Sequence, residues 1–238
     1  MTYKFAAISG ASSGIGRSVA LKMARENVSV AIFARRIDKL ENLAEEIKAL
    51  NPHVKVFPFQ GDVRDKDSVE RFFNTCELEF GPLDIFVNNA GIAYSKPFTH
   101  LDGKQVQDLI ETNFSGSIWS IYHAMRLFEK RNTGALINIS STTILKASQA
   151  VPLYAATKLG VAGLIRSLEE KYLTNKDIKI INIIPGPTLT DLVPGTIGRV
   201  DAESMISPDD TAHWIGLAIN APKNCKVSNL VLRNSGVF

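Results

Sequence analysis

A single doubly wound α/β domain, seven parallel strands with helices on both faces, is the fold this sequence predicts. Three observations carry the expectation. Short, continuously apolar runs alternate with longer charged segments of helical spacing. A glycine-rich turn joins the first apolar run to the first helical segment. No linker, repeat or low-complexity stretch interrupts the pattern over residues 1–238.

Strands are expected over 4–9, 28–34, 54–60, 85–88, 135–140, 178–184 and 229–233. These runs are rich in Val and Ile and largely unbroken by polar residues, as strands covered on both faces are. Helices are expected over 15–26, 38–50, 67–80, 102–130 and 154–173. Within 38–50, Leu40, Leu43, Ile47 and Leu50 recur every three or four residues and mark a buried stripe. Asp67, with Glu70 three residues on, reads as the cap of the third helix, and 102–130 as a long helix broken near its start. Strands and helices in alternation imply right-handed crossovers and a parallel sheet. The segment 185–208 carries four prolines and three glycines without a period. A connection of that length is usually functional, so 186–207 is expected to form a substrate loop.

Composition narrows the class of function. Of 238 residues, 45% are apolar and 21% charged, which suits a folded globular chain rather than a disordered one. The net charge of +3 is spread along the chain, which argues against a nucleic-acid partner. Cys76 and Cys225 stand alone, so neither a disulfide framework nor a metal site is expected, and a reduced, cytoplasmic setting fits. No apolar run approaches the length of a membrane span.

The turn Ser9-Gly10-Ala11-Ser12-Ser13-Gly14-Ile15-Gly16 follows the first strand and opens the first helix. Its glycines let backbone N–H groups approach a pyrophosphate at the positive end of that helix. A dinucleotide is therefore expected against Gly10, Ser12, Ser13, Gly14, Ile15 and Gly16. An acidic residue at the end of the second strand would bind the ribose 2′-hydroxyl and repel a 2′-phosphate. Here that position is Ala34, followed by Arg35 and Arg36. Guanidiniums in place of a carboxylate suit a phosphate, which points to NADP(H). Asp62 and Val63, after the third strand, either hold the adenine edge or belong to a helix cap.

Further motifs follow in order: Asn88-Asn89-Ala90-Gly91 after the fourth strand, Tyr154-Ala155-Ala156-Thr157-Lys158, and Pro185-Gly186 after the sixth. With the glycine turn they make the chain resemble the short-chain dehydrogenase/reductase family, a Rossmann-type fold, from about residue 4 to at least 190. Tyr154 and Lys158, four apart, share a helix face. A free tyrosine, with a pKa of about 10, is too weak an acid to work as a base at neutral pH. A neighbouring ammonium is expected to lower it, so that the hydroxyl exchanges a proton with a carbonyl or alcohol oxygen. The lysine can also hold the nicotinamide ribose.

The resemblance implies the remaining roles. Ser141, thirteen residues before Tyr154, matches the serine that hydrogen-bonds the substrate oxygen, with Ser140 the candidate if the register slips by one. Asn113 matches the asparagine that maintains a proton-relay water near the lysine. Asn89, Ala90 and Gly91 would line the cofactor from one side. Pro185 and Gly186 would contact it from the other, with Thr188 or Thr190 at the carboxamide. The implied activity is NADP(H)-dependent hydride transfer between nicotinamide and a small carbonyl or alcohol, in a homodimer or homotetramer built through the two long helices. Trp119, Tyr122, Leu164 and Leu168 fit burial at such a surface or in the core.

The ending at 230–238 lacks a Gly-Gly close, which resembles the 3-hydroxy acid and serine dehydrogenase branch more than the 3-oxoacyl-carrier-protein reductase branch. Ile144, Leu145, Val151, Leu153, Leu192 and Val193 suggest a partly apolar substrate pocket or core contact, with Lys146 and Arg199 as lone cations near it. A non-catalytic NADP(H)-binding regulatory protein on the same fold is the alternative of another class. The intact tetrad argues against it.

Overall fold

The computed structural model describes residues 3–146, 148–192 and 202–235. Its strands are β1 (Phe5–Ser9), β2 (Ser29–Ala34), β3 (Val56–Gln60), β4 (Ile85–Asn88), β5 (Gly134–Ile139), β6 (Ile178–Pro185) and β7 (Asn229–Leu232). They form one sheet in the order β3-β2-β1-β4-β5-β6-β7, every pair parallel. The helices are α1 (Gly14–Arg25), α2 (Ile37–Leu50), α3 (Lys66–Phe80), α4 (Gly103–Leu109), α5 (Gly116–Arg131), α6 (Pro152–Lys171) and α7 (Pro208–Ile219). The expected seven-stranded parallel fold is the one observed.

Side chains alternate along a strand, so each strand serves two cores. Ile8, Ile32, Val87 and Ile137 pack with α1, α2 and α7. Ala7, Phe33, Phe86 and Leu136 pack with α3, α5 and α6 on the opposite face, where the Phe33 and Phe72 rings stack 4.7 Å apart. Each large side chain so buried contributes about 1.5–3 kcal/mol. Pro58 sits inside β3, which is possible because β3 is an edge strand. Lys55 and Gly61, at odd positions, make the backbone bonds to β2, so the missing N–H at Pro58 faces the open edge.

A side-chain ladder reinforces the register of the other half. Asn88 donates to Asn138 (2.8 Å), Asn138 to Asn182 (2.9 Å) and Asn182 to Asn229 (3.1 Å), across four neighbouring strands. A one-residue slip would break these bonds, and each buried polar group left unpaired costs about 1–3 kcal/mol. The ladder ends just beneath the strand ends that carry 89–91, 140–141 and 186.

One expectation needs correction, one is located and one helix was missed. The cap of α3 is Asp65, which accepts from the Asp67 N–H; Asp67 lies inside the first turn. The break in 102–130 is a wide π turn (Ile110–Ser115) between α4 and α5, and α4 is capped by Asp102 in a capping box with Gln105. Helix α7 was not expected, although Ser207, Pro208, Asp209 and Asp210 form a cap, a first-turn proline and an acidic first turn. Ser207 Oγ accepts from the Asp210 N–H at 2.9 Å. The two described ends of the 186–207 segment are pinned together, Leu189 N–H donating to Ile206 and Ile206 N–H to Pro187. Among the described residues no helix is long and apolar enough to cross a membrane.

Candidate active site

The strand order reverses between β1 and β4, and a crevice at such a switch point is where open α/β sheets bind ligands. Here it is a cavity of about 650 Å³. At one end lies the glycine turn. Gly10 has φ +67°, and a Cβ there would stand 2.7 Å from Ala90 Cα. A Cβ on Gly16 would stand 2.5 Å from Asn89 Nδ2. Bare backbone is therefore required at both positions. Asn89 fastens this contact: its amide donates to the carbonyls of Ser9 (3.0 Å) and Gly10 (3.1 Å). Buried Ser9, which the sequence reading passed over, accepts from the N–H groups of Asn89 and Ala90. Ser13, at the N-cap of α1, makes no side-chain cap bond, so its hydroxyl leaves the first N–H groups at the helix's positive end uncapped.

Arg36 reaches over this turn, donating to Ser12 Oγ (2.8 and 3.2 Å) and Ser13 Oγ (2.9 Å). Its guanidinium lies 3.9 Å from Asp191, which is also 4.0 Å from Lys39. Arg35 lines the same end and acts electrostatically on Asp62. The Asp62 carboxylate accepts from Arg64 Nε (2.9 Å) and Nη2 (2.6 Å), and Arg64 also bonds Asp108 (2.7 Å). Burial raises the Asp62 pKa, but the Arg64 hydrogen bonds and charge outweigh it and hold the carboxyl below its usual range. It also accepts from the Arg64 backbone N–H (3.0 Å), but α3 is capped by Asp65 and not by Asp62. Val63 and Asp62 both line the cavity.

Past the turn, β5 ends at Ile139, with Ser140 and Ser141 at the strand's exit. Ser141 Oγ accepts from the Thr143 N–H (3.2 Å), and its hydroxyl acts on Tyr154 in the sense that lowers that group's pKa. Tyr154 lies in the first turn of α6, opened by Pro152 at a position whose N–H would be unsatisfied anyway. One turn further, buried Lys158 donates from Nζ to the Ile139 carbonyl (2.9 Å). Asn113 is fully buried on the π turn, where the widened turn brings Thr112 and Asn113 inward together. Its side chain clasps the Ile92 backbone, accepting from N–H and donating to C=O, each at 2.8 Å. Gly91 stands between Asn113 and Lys158.

The electrostatics differ from the sequence expectation. Burial pushes the Tyr154 hydroxyl up to about 12, against the opposing hydrogen bond from Ser141. Burial also lowers Lys158 to about 8. The ammonium is spent on Ile139, 5.8 Å from the Tyr154 ring centre, and does not lower the tyrosine. Desolvation outweighs attraction, so at neutral pH the pair is a neutral phenol beside a charged lysine.

The two threonines separate in space. Thr188 is buried and donates to the Gly186 carbonyl (3.0 Å), whereas the Thr190 methyl lies over Gly14. Pro185 and Gly186 line the cavity with them. Asn234, also unforeseen, staples this segment by donating to the carbonyls of Pro187 and Ser204 (both 2.8 Å). The expected apolar pocket is only partly there. Val151 and Leu192 line the cavity, but Ile144, Leu145 and Leu153 do not, and hydroxyl side chains take much of the wall. Lys146 is exposed away from it, and Val193 and Arg199 lie outside the described residues. Trp119 and Tyr122 are exposed on α5, while Leu164 and Leu168 pack against the core.

A doubly wound fold with an open glycine turn and a Ser–Tyr–Lys cluster in one crevice defines a nucleotide-dependent oxidoreductase class, and the comparisons agree. The short chain dehydrogenase family profile matches residues 4–197. An uncharacterized oxidoreductase of Staphylococcus aureus (strain MRSA252) is 30% identical over 233 residues, 98% of each chain. A 3-oxoacyl-[acyl-carrier-protein] reductase of Staphylococcus aureus (strain Mu50) is 36% identical over 190 residues, 79% of this chain and 76% of that one. Among solved structures, an alcohol dehydrogenase from the archaeon Thermococcus sibiricus, complexed with 5-hydroxy-NADP, superposes with a TM-score of 0.89. It is 28% identical, over 99% of this chain and 98% of that one. The chain belongs to the short-chain dehydrogenase family and is an oxidoreductase of that type.

Proposed function

We propose that this protein is an NADP(H)-dependent oxidoreductase that interconverts a small carbonyl compound and its alcohol. The observation that carries the reading is that one continuous cavity holds both halves of the chemistry. Its glycine turn, uncapped helix end and two arginines suit a dinucleotide with a 2′-phosphate. Its Ser141 and Tyr154 hydroxyls, both on the cavity lining, suit a carbonyl oxygen. The archaeal relative's NADP derivative supports the same cofactor.

Gly10, Ser12, Ser13, Gly14, Ile15 and Gly16 would hold the pyrophosphate, Arg36 and Arg35 the 2′-phosphate, and Asp62 and Val63 the adenine end. Asn89, Ala90, Gly91, Pro185, Gly186, Thr188 and Thr190 would line the rest of the cleft. NADPH, when bound, supplies the hydride that reduces the carbonyl carbon. Tyr154 gives the substrate oxygen its proton, Ser141 hydrogen-bonds the same oxygen, and the Lys158 ammonium, the stronger acid of the two, returns a proton to the tyrosinate and is itself reprotonated from solvent. Asn113 holds the Ile92 backbone and so positions the cleft wall beside Lys158. A neutral phenol at pH 7 is in the form that donates a proton, as carbonyl reduction requires. Assembly into a homodimer or homotetramer would cover exposed Trp119 and Tyr122 on α5.

Calorimetry with NADPH and NADH, followed by NADPH consumption on aldehydes, ketones and an acetoacetyl thioester, tests the proposal. Tighter binding of NADPH with turnover of a carbonyl compound is expected. Preference for the thioester would favour the acyl-carrier-protein reductase alternative, to which the 36%-identical relative points. NADPH binding without turnover on any of them would favour a regulatory protein.

The reductive rate should also carry the signature of Lys158. With pKa about 8 it is charged below that pH and loses its proton above it, while Tyr154, at about 12, stays protonated. Initial rates at saturating NADPH should therefore decline above pH 8, by roughly tenfold per unit once the charged form is the minor one. A flat profile well above pH 8 would remove Lys158 from the proton path.

A further inference from the structure

A carboxylate, Asp191, faces the cations at the nucleotide end of the cavity. Asp191 is on the cavity lining, and its Oδ2 lies 3.9 Å from Arg36 Nη1 and 4.0 Å from Lys39 Nζ. Arg36 spends Nε and Nη2 on the hydroxyls of Ser12 and Ser13, so Nη1 is the nitrogen it turns to Asp191. Both distances exceed hydrogen-bond length, and the Asp191 side chain is 69% exposed. Asp191 is therefore not what holds Arg36 in place, because the two serines already do. The proposed function gives this carboxylate no role.

The chain before Asp191 is fastened over the glycine turn. Leu189 N–H donates to the Ile206 carbonyl at 2.9 Å, and buried Thr188 donates to the Gly186 carbonyl at 3.0 Å. A Cβ on Gly14 would stand 2.9 Å from the Thr190 methyl, so Thr190 lies directly on the turn. Asp191, the next residue, is thus delivered from the β6 side of the cleft to the exit of β2. An acid at the end of β2 itself would repel a 2′-phosphate. Ala34 and Arg35 supply none there, but the fold brings one from a residue far along the chain.

Resting on the proposed function, we infer that Asp191 is a specificity-determining residue that competes with the 2′-phosphate of NADP(H) for Arg36 and Lys39, and so moderates the preference for NADPH over NADH. A phosphate on Arg36 gains a charge-assisted bond, but it must displace the carboxylate or accept a like charge beside it. NADH carries an uncharged hydroxyl at that carbon of the ribose and meets no such opposition. Exposed ion pairs are individually weak. Two of them, with one repulsion added, set an expected effect of roughly threefold to tenfold in affinity.

Calorimetric binding of NADPH and of NADH to the wild-type protein and to Asp191→Asn is the test. Asparagine keeps the shape of the side chain and removes its charge. Asp191→Asn should bind NADPH roughly threefold to tenfold more tightly at low ionic strength, with NADH affinity changed by less than about twofold. Salt screens exposed charges, so the gain should shrink when the measurement is repeated at about 0.5 M salt. Affinity for NADPH that is unchanged or weaker in Asp191→Asn overturns this inference. So does a gain shared equally by NADH, which would report a rearranged turn, or a gain that salt does not diminish. Each of those results leaves the proposed function standing. Failure of both proteins to bind NADPH overturns the proposed function, and this inference with it.

Discussion

Tyr154→Phe is expected to lower kcat for carbonyl reduction by about 10²–10⁴-fold while NADPH still binds. The substitution removes one hydroxyl, on which Ser141 acts, and leaves the ring beside Lys158. With burial holding the phenol at about 12, the tyrosine enters the reaction protonated, and no other described hydroxyl is paired with Ser141 at the same point. Water can replace the lost proton only at low efficiency in so desolvated a site. The measurement is single-turnover NADPH oxidation together with calorimetric NADPH binding. Turnover within a few-fold of wild type would sink the assignment of Tyr154 as donor. Loss of cofactor binding along with turnover would show that the ring's setting, and not the proton, had been disturbed.

The second large effect should come from the arginines. Arg36→Asp is expected to weaken NADPH binding by roughly a hundredfold and NADH binding by far less, since a charge-assisted bond to phosphate is lost and a repulsion is added. Arg35→Asp should act in the same direction. Of the two, Arg36 is the one that the structure lays across Ser12 and Ser13, on the glycine turn. Because Arg36 also braces that turn, NADH is the internal control. Equal losses for both nucleotides would mean that the turn has collapsed and would refute the 2′-phosphate role. The nearby Asp191 carboxylate, 3.9 Å from Arg36, is exposed enough for salt to screen it, so affinities need comparison at one ionic strength.

Much of this arrangement was legible in the chain because it depends on local order. Glycines at 10, 14 and 16 sit between a strand and a helix whatever else the chain does, and Tyr154 and Lys158 share a face of any helix that contains them. Continuous apolar runs require strands covered on both sides, and that requirement gave the doubly wound class. Helix α7 carried a readable start at Ser207–Asp210 but was passed over, because the proline-rich stretch before it reads as irregular chain.

Other features have no local signature. Asn88, Asn138, Asn182 and Asn229 are scattered along the sequence, and only the register of four strands lines them up. Asn113 could be matched to a family position, but its clasp on Ile92 depends on a π turn that no spacing rule announces.

By itself, then, the sequence determined the fold class, the order of the motifs and the residues that gather at one end of the sheet, because periodicity, glycine placement and helix spacing are properties of neighbours in the chain. Only the tertiary structure decided how those residues are charged and paired. Burial raised Tyr154 and lowered Lys158 against the simple expectation for an adjacent ammonium. It also left the Ser140 and Thr143 hydroxyls buried without a hydrogen-bond partner. Desolvation and hydrogen-bond supply are set by every element packed around a group, and most of those elements lie far from it along the chain.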